Sequence, residues 1–232
     1  MTAFGDQLPR HSLVVSCQAA ADSPLRSPDT MRRIALAVAL GGATAIRANG
    51  PADVKAIREA VDLPLIGINK IGDPSGVFIT PTVEAALAVI EAGATIVALD
   101  GTRRPRPDGL TLHQQISAIR DFSSVPLMAD VDSVDAGMTA RDAGADAVAT
   151  TLSGYVGDHR SVGPDIGLIS ELAARLDCEV VAEGRIWTAS HIREALDAGA
   201  HAVVVGTAIT NPTAITRRLS SALDPIADGR GA

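Results

Sequence analysis

Two ionisable side chains, Lys70 and Glu183, stand where apolar stretches of the sequence end. Lys70 follows Leu65-Ile66-Gly67-Ile68-Asn69, and Glu183 follows Val180-Val181-Ala182. Partial desolvation at such positions lowers the pKa of a lysine and raises that of a glutamate. If the amine and the carboxyl face one small cavity, one can remove a proton from a carbon acid while the other delivers a proton to the opposite face. A buried Lys-Glu ion pair without chemistry is the alternative.

Five more polar residues follow short apolar runs: Gln18, Arg47, Asp100, Asp130 and Arg185. For any one of them, a solvated loop charge or a structural salt bridge is an adequate explanation. As a set they indicate a site, because an ordinary globular surface would scatter such residues over helices and loops.

An internal repeat predicts the elements that bring these residues together. Four Gly-Ala pairs recur about every 50 residues, each after a helical stretch and before an apolar run: Gly42-Ala43, Gly93-Ala94, Gly144-Ala145 and Gly199-Ala200. A glycine just past a helix can take the left-handed conformation that ends it. A second series of apolar runs lies between these, at 63–67, 125–129 and 178–182.

With a first run at Leu13-Val14-Val15-Ser16-Cys17, eight short strands alternate with eight amphipathic stretches. Runs that are apolar on both faces and separated by helices are typical of a parallel sheet covered by helices. Four copies of a two-strand unit predict an α/β fold of the (β/α)8 TIM-barrel type. An open doubly wound sheet is the alternative, but it does not account for four regular copies.

A barrel places the ends of these runs around one mouth, where (β/α)8 enzymes have their active sites. Gly184 and Gly206 follow the seventh and eighth runs, where many barrels bind phosphate through backbone amides; Thr207 continues the second of these turns. Only two connections exceed turn length, 71–80 and 151–164, and both are predicted on this side of the barrel.

Composition excludes several functional classes. The formal net charge is −7 and no basic stripe is present, so neither nucleic acid nor an anionic membrane is an expected partner. No apolar run is long enough to span a bilayer and no signal peptide is visible, which predicts a cytoplasmic protein. Cys17 and Cys178 show no metal spacing and are interpreted as buried small residues. Neither a metal nor a dinucleotide cofactor is expected, since no ligand cluster or Gly-x-Gly-x-x-Gly motif occurs.

A set of short motifs resembles the N-acetylmannosamine-6-phosphate 2-epimerases from about Leu13 to Arg218. The motifs are Val15-Ser16-Cys17-Gln18-Ala19, Ile46-Arg47-Ala48-Asn49-Gly50, Ile66-Gly67-Ile68-Asn69-Lys70, Ile79-Thr80-Pro81-Thr82, Arg104-Pro105-Arg106-Pro107-Asp108-Gly109, Met128-Ala129-Asp130, Thr150-Thr151-Leu152-Ser153-Gly154-Tyr155, Ala182-Glu183-Gly184-Arg185-Ile186 and Val203-Val204-Val205-Gly206.

The resemblance implies a barrel like the ribulose-phosphate-binding barrels and a cofactor-independent isomerase. It would interconvert N-acetylmannosamine 6-phosphate and N-acetylglucosamine 6-phosphate in amino-sugar and sialic acid catabolism. Lys70 and Glu183 would then be the acid/base pair at C2. The sugar would be contacted by Gln18, Arg47, Asp130 and Arg185, and the phosphate by Gly184, Gly206, Thr207 and Asn211. A homo-oligomer, with a dimer as the expected state, is also implied.

The sequence departs from the family pattern in three places. Asn211 replaces an arginine that contacts phosphate, a change that removes a charge-assisted bond worth about 1.5–3 kcal/mol. Trp187 replaces an asparagine. The loop after Lys70 is shorter and lacks the usual basic and aromatic residues.

The sequence is therefore compatible with three functions. The first is the 2-epimerase; the second is isomerase or lyase chemistry on another phosphosugar; the third is a non-catalytic barrel that binds a sugar phosphate. The expected domain organisation is an N-terminal extension over 1–12, one catalytic barrel over 13–223 and a C-terminal tail over 224–232.

Overall fold

The protein folds into a closed barrel of eight parallel strands. The computed structural model describes residues 4–156 and 163–223. Its strands are β1 (Ser12–Cys17), β2 (Ala45–Asn49), β3 (Leu65–Ile68), β4 (Ile96–Asp100), β5 (Leu127–Asp130), β6 (Ala147–Ala149), β7 (Glu179–Glu183) and β8 (Ala202–Val205). Each strand pairs with the next, and β8 closes the barrel on β1 with Val204 opposite Val14. The predicted (β/α)8 barrel is confirmed.

Helices precede β1, connect the strands and follow β8, and those between the strands cover the outside of the barrel. They are α1 (Phe4–Gln7), α2 (Pro28–Leu40), α3 (Pro51–Arg58), α4 (Val83–Glu91), α5 (Leu112–Arg120), α6 (Val134–Asp142), α7 (Ile166–Arg175), α8 (Ala189–Asp197), α9 (Thr207–Thr210) and α10 (Pro212–Ser220). Within 4–156 and 163–223, none of them is both long enough and apolar enough to cross a bilayer.

Local sequence sets the helix boundaries. At the starts of α2, α4, α5, α6 and α8, a hydroxyl side chain accepts a backbone N–H of the first turn; these hydroxyls belong to Ser27, Thr82, Thr111, Ser133 and Thr188. The four repeat glycines lie two positions beyond α2, α4, α6 and α8, and all have φ between 96° and 104°. These left-handed turns are the predicted stops that send the chain into the next strand.

Two apolar layers form the core. One lies between the strands and the helices, and the other fills the inside of the barrel with small and branched side chains such as Ala98, Ala149 and Ile66. Phe4 and Leu8 belong to the inner layer and are 3% and 0% exposed. Part of the segment assigned to the N-terminal extension therefore packs inside the barrel. The tail predicted for 224–232 lies outside the described residues.

The prediction that only two connections are long is wrong. Residues 101–111, between β4 and α5, form another long loop on the same side of the barrel. Pro105 and Pro107 keep this segment from continuing as a helix, so α5 begins only after Thr111. In the loop that follows β3, Lys70 and Ile79 form an isolated antiparallel bridge. This bridge fixes the backbone that carries Lys70.

Candidate active site

A cavity of about 630 Å³ opens at the C-terminal ends of the strands, where a (β/α)8 barrel places its active site. Eight of the predicted site residues line it: Gln18, Lys70, Glu183, Gly184, Arg185, Gly206, Thr207 and Asn211. Arg47 and Asp130 are not on its wall but are buried beside Glu183, at 1% and 0% exposure.

Glu183, Arg47 and Asp130 form one ionic cluster that joins strands β7, β2 and β5. Arg47 Nη2 lies 2.5 Å from Asp130 Oδ2, and Arg47 Nη1 donates to Glu183 Oε2. The Arg47 guanidinium is therefore paired with two carboxylates. The Nε of Arg47 has no hydrogen-bond partner among the described residues.

Thr151, which was not among the residues predicted from the sequence, also joins this cluster. Its Oγ1 lies 2.7 Å from Asp130 Oδ1 and 3.2 Å from Glu183 Oε2. Because a hydroxyl carries a single proton, it donates to one carboxylate at a time. The neighbouring Thr150 Oγ1 accepts the Glu183 N–H at 3.1 Å and donates to the Glu183 carbonyl at 3.0 Å. The two threonines thus fix both the backbone and the carboxyl of Glu183.

Lys70 reaches the cavity from the opposite side of the barrel. Its N–H donates to Asn49 Oδ1 at 2.9 Å, and its Nζ donates to Gln18 Oε1 at 2.8 Å. Gln18 is held in turn, because its Nε2 donates to Ser16 Oγ at 2.6 Å. The Nζ also lies 6.0 Å from the centre of the Phe78 ring. The amine is therefore placed by neutral neighbours.

The surroundings shift the pKa values of Glu183 and Lys70 towards each other. Burial raises the pKa of Glu183 and Asp130 adds to this, while Arg47, Lys70 and the Thr151 hydrogen bond oppose it. Although the Lys70 residue is exposed at the mouth, the protein around its ammonium lowers the Lys70 pKa; Arg47 adds to this and Glu183 and Asp130 oppose it. Such shifts are typical of acid/base groups.

Lys70 and Glu183 line one cavity without forming an ion pair with each other. Glu183 is paired with Arg47, which is also paired with Asp130, and the Lys70 ammonium donates to Gln18. The alternative of a buried Lys-Glu ion pair is therefore wrong. An uncharged contact at the amine leaves the space between the two groups open to a ligand.

Arg185 lines the cavity but its guanidinium is used within the protein. The Nε donates to the Gly163 carbonyl at 2.7 Å and Nη1 donates to the Ser153 carbonyl at 2.6 Å. Its guanidinium also lies 5.4 Å from the centre of the Tyr155 ring. The residue has φ = 54°, an unusual left-handed backbone for a side chain of this size. Arg185 thereby joins the turn after β7 to Ser153 and Gly163.

One end of the cavity, the end proposed below to hold phosphate, is formed by the turns after β7 and β8. Gly184 has φ = 111°, a conformation that disfavours any other residue. Gly206 passes so close to β1 that an added Cβ would lie 3.1 Å from Ser16 Cβ. Thr210 Oγ1 donates to the Ser16 carbonyl at 2.8 Å, and Asn211 Oδ1 accepts the Ala214 N–H at 3.0 Å. These contacts bring backbone and Asn211 to the cavity wall.

Asp100, like Arg47 and Asp130, does not line the cavity, and unlike them it has no contact with Glu183. It is buried, and its carboxylate accepts hydrogen bonds from Thr102 Oγ1 at 2.6 Å and Arg104 Nη2 at 2.7 Å. Arg104 does line the cavity and also donates to the Ser75 carbonyl at 3.2 Å. Asp100 is therefore a structural residue, and Arg104 connects the loops after β3 and β4.

Other candidate ligands do not gather at the site. Within 4–156 and 163–223, no group of three or more His, Cys, Asp or Glu side chains is arranged to hold a metal ion. Cys17 is buried as predicted, whereas Cys178 is only partly buried. Burial raises the pKa of Cys17 to about 12 and that of Cys178 to about 11.

Comparison with known proteins identifies the family. Residues 31–225 match the family model described as "Putative N-acetylmannosamine-6-phosphate epimerase". The chain belongs to this epimerase family. The match covers every strand from β2 to β8, and hence all the predicted site residues except Gln18.

Relatives of this epimerase share most of its length. A protein of Cutibacterium acnes named "Putative N-acetylmannosamine-6-phosphate 2-epimerase" is 52% identical, over 91% of this chain and 93% of its own. A protein of the same name from Caldanaerobacter subterraneus is 46% identical, over 90% and 89%. The solved structure of the N-acetylmannosamine-6-phosphate 2-epimerase from Clostridium perfringens superimposes with a TM-score of 0.88 at 39% identity, covering 92% of this chain and 93% of that one.

The site of this epimerase also contains residues that were not predicted from the sequence. Thr150 and Thr151 lie in a motif that was recognised but given no role, and Arg104 lies in another. A signal was present for the threonines, because they directly follow β6, the strand that supplied no other polar end residue.

Proposed function

We propose that the protein interconverts N-acetylmannosamine 6-phosphate and N-acetylglucosamine 6-phosphate by proton transfer at C2, without a cofactor. The observation that carries this proposal is that Lys70 and Glu183 line one cavity, Lys70 just after β3 and Glu183 at the end of β7, strands four places apart in an eight-strand barrel. The names and extents of the relatives support the choice of substrate.

The chemistry needs two groups on opposite sides of one carbon. In the open-chain sugar, C2 lies beside the C1 aldehyde, so loss of its proton gives an enolate-like intermediate. One of Lys70 and Glu183 accepts that proton, and the other donates a proton to the opposite face of C2. The two exchange roles in the reverse direction. A positively charged side chain near O1 stabilises the charge that develops there.

Arg47 and Asp130 hold Glu183 in this scheme. Their burial keeps both away from the cavity wall, so the predicted sugar contacts of Arg47 and Asp130 stay predictions. Gln18 contacts Lys70 and lines the cavity, which suits its proposed role in positioning the sugar. Arg185 offers its remaining donors to the sugar while it donates to Ser153 and Gly163.

The phosphate is proposed to lie against the turns after β7 and β8. There Gly184 and Gly206 allow a close approach to backbone, and Thr207 and Asn211 add side-chain hydrogen-bonding groups. For the cellular context we propose amino-sugar and sialic acid catabolism in the cytoplasm, with a homodimer as the assembly; sedimentation of the purified protein would measure its oligomeric state.

Proton NMR in deuterated water tests the reaction. The protein is incubated with N-acetylmannosamine 6-phosphate, and we expect N-acetylglucosamine 6-phosphate carrying deuterium at C2. Lys70→Ala and Glu183→Gln should each lower turnover by about 1,000-fold or more, since both proton transfers pass through these groups.

Matched controls come from the outer helices. Lys55 is exposed on α3 and Glu171 on α7, so Lys55→Ala and Glu171→Gln should retain turnover. Absence of both product and C2 exchange in folded wild-type protein would overturn the proposed substrate. Product formation without deuterium uptake would overturn the proton-transfer mechanism.

A further inference from the structure

The end of the cavity proposed to hold phosphate lacks a positive side chain of its own. Gly184, Gly206, Thr207 and Asn211 are all neutral. Among the cations on the cavity wall, Arg104 is paired with Asp100 at 2.7 Å, and Arg185 donates to two backbone carbonyls. A phosphate dianion bound here, as the proposed function requires, therefore needs charge from elsewhere.

Arg218 stands next to this end of the cavity. Its guanidinium lies over the ring of Trp187, 4.5 Å from the ring centre. Trp187 itself lines the cavity beside Arg185. The stack places a cation directly behind the cavity rim, although Arg218 is outside the wall as it stands.

The geometry of α10 directs Arg218 towards the cavity. Asn211 caps this helix, and Ala214 and Ile215 are its half-buried positions. At 100° per residue, Arg218 falls between these two on the helix surface, whereas Arg217 lies about 110° from the centre of that face. Side chains on a helix tilt towards its N-terminus, which for Arg218 is the direction of Asn211.

The charge of Arg218 is available to a ligand. Within the described part of the chain it forms no ion pair with a carboxylate. Stacking on an aromatic face also occupies only the plane of a guanidinium and leaves its N–H groups free at the edge. We propose that Arg218, held on Trp187, binds the phosphate of the substrate. This rests on the proposed function and explains how the site works with asparagine at position 211.

Intrinsic fluorescence tests this inference without turnover. Trp187 is the only tryptophan, so its emission reports directly on the stack. Wild type and Arg218→Ala are titrated with N-acetylglucosamine 6-phosphate and with inorganic phosphate at one ionic strength. We expect Arg218→Ala to raise Kd about tenfold or more for both, since a charge-assisted contact is lost. Arg217→Ala, which removes the same charge one residue away, should leave Kd within about twofold.

The KM and kcat of the variants test the role of Arg218 independently. Arg218→Ala should raise KM for the phosphorylated sugar about tenfold with little change in kcat, and Trp187→Leu should give a smaller rise in KM because the cation loses its support. Equal weakening by Arg217→Ala and Arg218→Ala would mean diffuse surface attraction and would overturn the proposal, as would an unchanged Kd in Arg218→Ala. Wild-type protein that binds the sugar phosphate without epimerising it would refute the proposed function alone, because the Kd comparison would still decide the role of Arg218.

Discussion

Lys70 and Glu183 approach the cavity from β3 and β7, and their surroundings differ in kind. The Lys70 ammonium has a neutral partner, Gln18, and an open path to solvent. The Glu183 carboxyl is enclosed, with Arg47 on one oxygen and Thr151 beside it. Lys70 can therefore exchange protons with water, whereas the charge of Glu183 depends on a fixed set of neighbours. Each half of the pair can be tested separately.

The lowered pKa of Lys70 predicts selective chemical labelling. The protein around the Lys70 ammonium lowers its pKa, which leaves a larger neutral fraction at a given pH than an ordinary lysine has, and only the neutral amine attacks an acylating reagent. The chain has one other lysine, Lys55, exposed on α3. We expect limiting acetic anhydride at pH 7–8 to modify Lys70 several-fold faster than Lys55, measured by peptide mass spectrometry.

Glu183→Gln provides the check on this labelling. Glu183 is among the groups that oppose the lowered pKa of Lys70, so its neutralisation should lower that pKa further and speed the modification. Slower labelling of Lys70 than of Lys55 across the whole range would contradict an activated amine.

The Thr151 hydroxyl predicts a displaced pH profile. Its hydrogen bond helps to lower the pKa of Glu183 against the effect of burial. Thr151→Val removes that bond with little change of shape, so the pKa of Glu183 should rise further and the carboxyl should stay protonated to higher pH. We expect the acid limb of kcat/KM to move up by about one unit, since a bond to a charged group is worth roughly 1.5 kcal/mol.

The conservative variant separates this role from simple packing. Thr151→Ser keeps the hydroxyl and should return the acid limb to the wild-type position, even if it loses some stability with the methyl group. A limb that stays in place in Thr151→Val, or that moves equally in Thr151→Ser, would show that the hydroxyl does not set the charge of Glu183.

The site residues that the sequence revealed are those that break an apolar pattern. Lys70 and Glu183 stand out because a charge at the end of a buried run is costly unless it has a use. Thr151 carries only a weaker signal, its place directly after β6, since a threonine there does not break an apolar pattern as a charge does. The burial of Arg47 could not be predicted from the sequence either, because its pairing with Asp130 joins β2 to β5 and depends on closure of the barrel.

At the scale of elements, the strands and helices were predictable because each boundary has a local cause. The repeat glycines end four helices, and hydroxyl caps start others. The packing of α1 had no comparable signal, since a four-residue helix shows no periodicity. The length of the loop over 101–111 was not predicted either, because its prolines mark where a helix cannot form but not how long the connection is.

The burial of Leu8 predicts that the N-terminal segment stabilises the barrel. Leu8 follows α1 and is fully buried in the inner apolar layer with Phe4. Leu8→Ala removes buried apolar volume at the closed end of the barrel, the end opposite the cavity where β1 begins. It should lower the free energy of unfolding by about 3 kcal/mol, within the range of about 2–5 for such changes. Urea unfolding measures this loss.

Leu40→Ala is the matched control, because Leu40 ends α2 and is 91% exposed. Its unfolding free energy should stay within about 0.5 kcal/mol of wild type. Equal stability of Leu8→Ala and wild type would mean that the segment before β1 can leave the barrel at little cost.

At the scale of the whole molecule, closure makes the site and the core one structure. Each strand of the barrel is paired on both sides, so there is no free edge at which unfolding can start. Gln18 follows β1, Lys70 follows β3, Glu183 ends β7 and Gly206 follows β8. Separation of any two strands would therefore displace part of the cavity, and we expect the two ends of the barrel to open together.

Cys17 can measure that opening. It ends β1 in the layer between strands and helices, is fully buried, and has a pKa raised by burial to about 12. In a Cys178→Ser background it is the only thiol, and at pH 8 it should react with a disulfide reagent only when the barrel opens.

If the barrel is one cooperative unit, Leu8→Ala, which acts before the start of the same strand, should speed this reaction about 100-fold, the factor that corresponds to about 3 kcal/mol. The labelling rate should also rise with urea in parallel with the equilibrium unfolding constant. A rate that Leu8→Ala leaves unchanged would show that the mouth opens independently of the closed end, and that the cavity belongs to a separate, less stable part of the barrel.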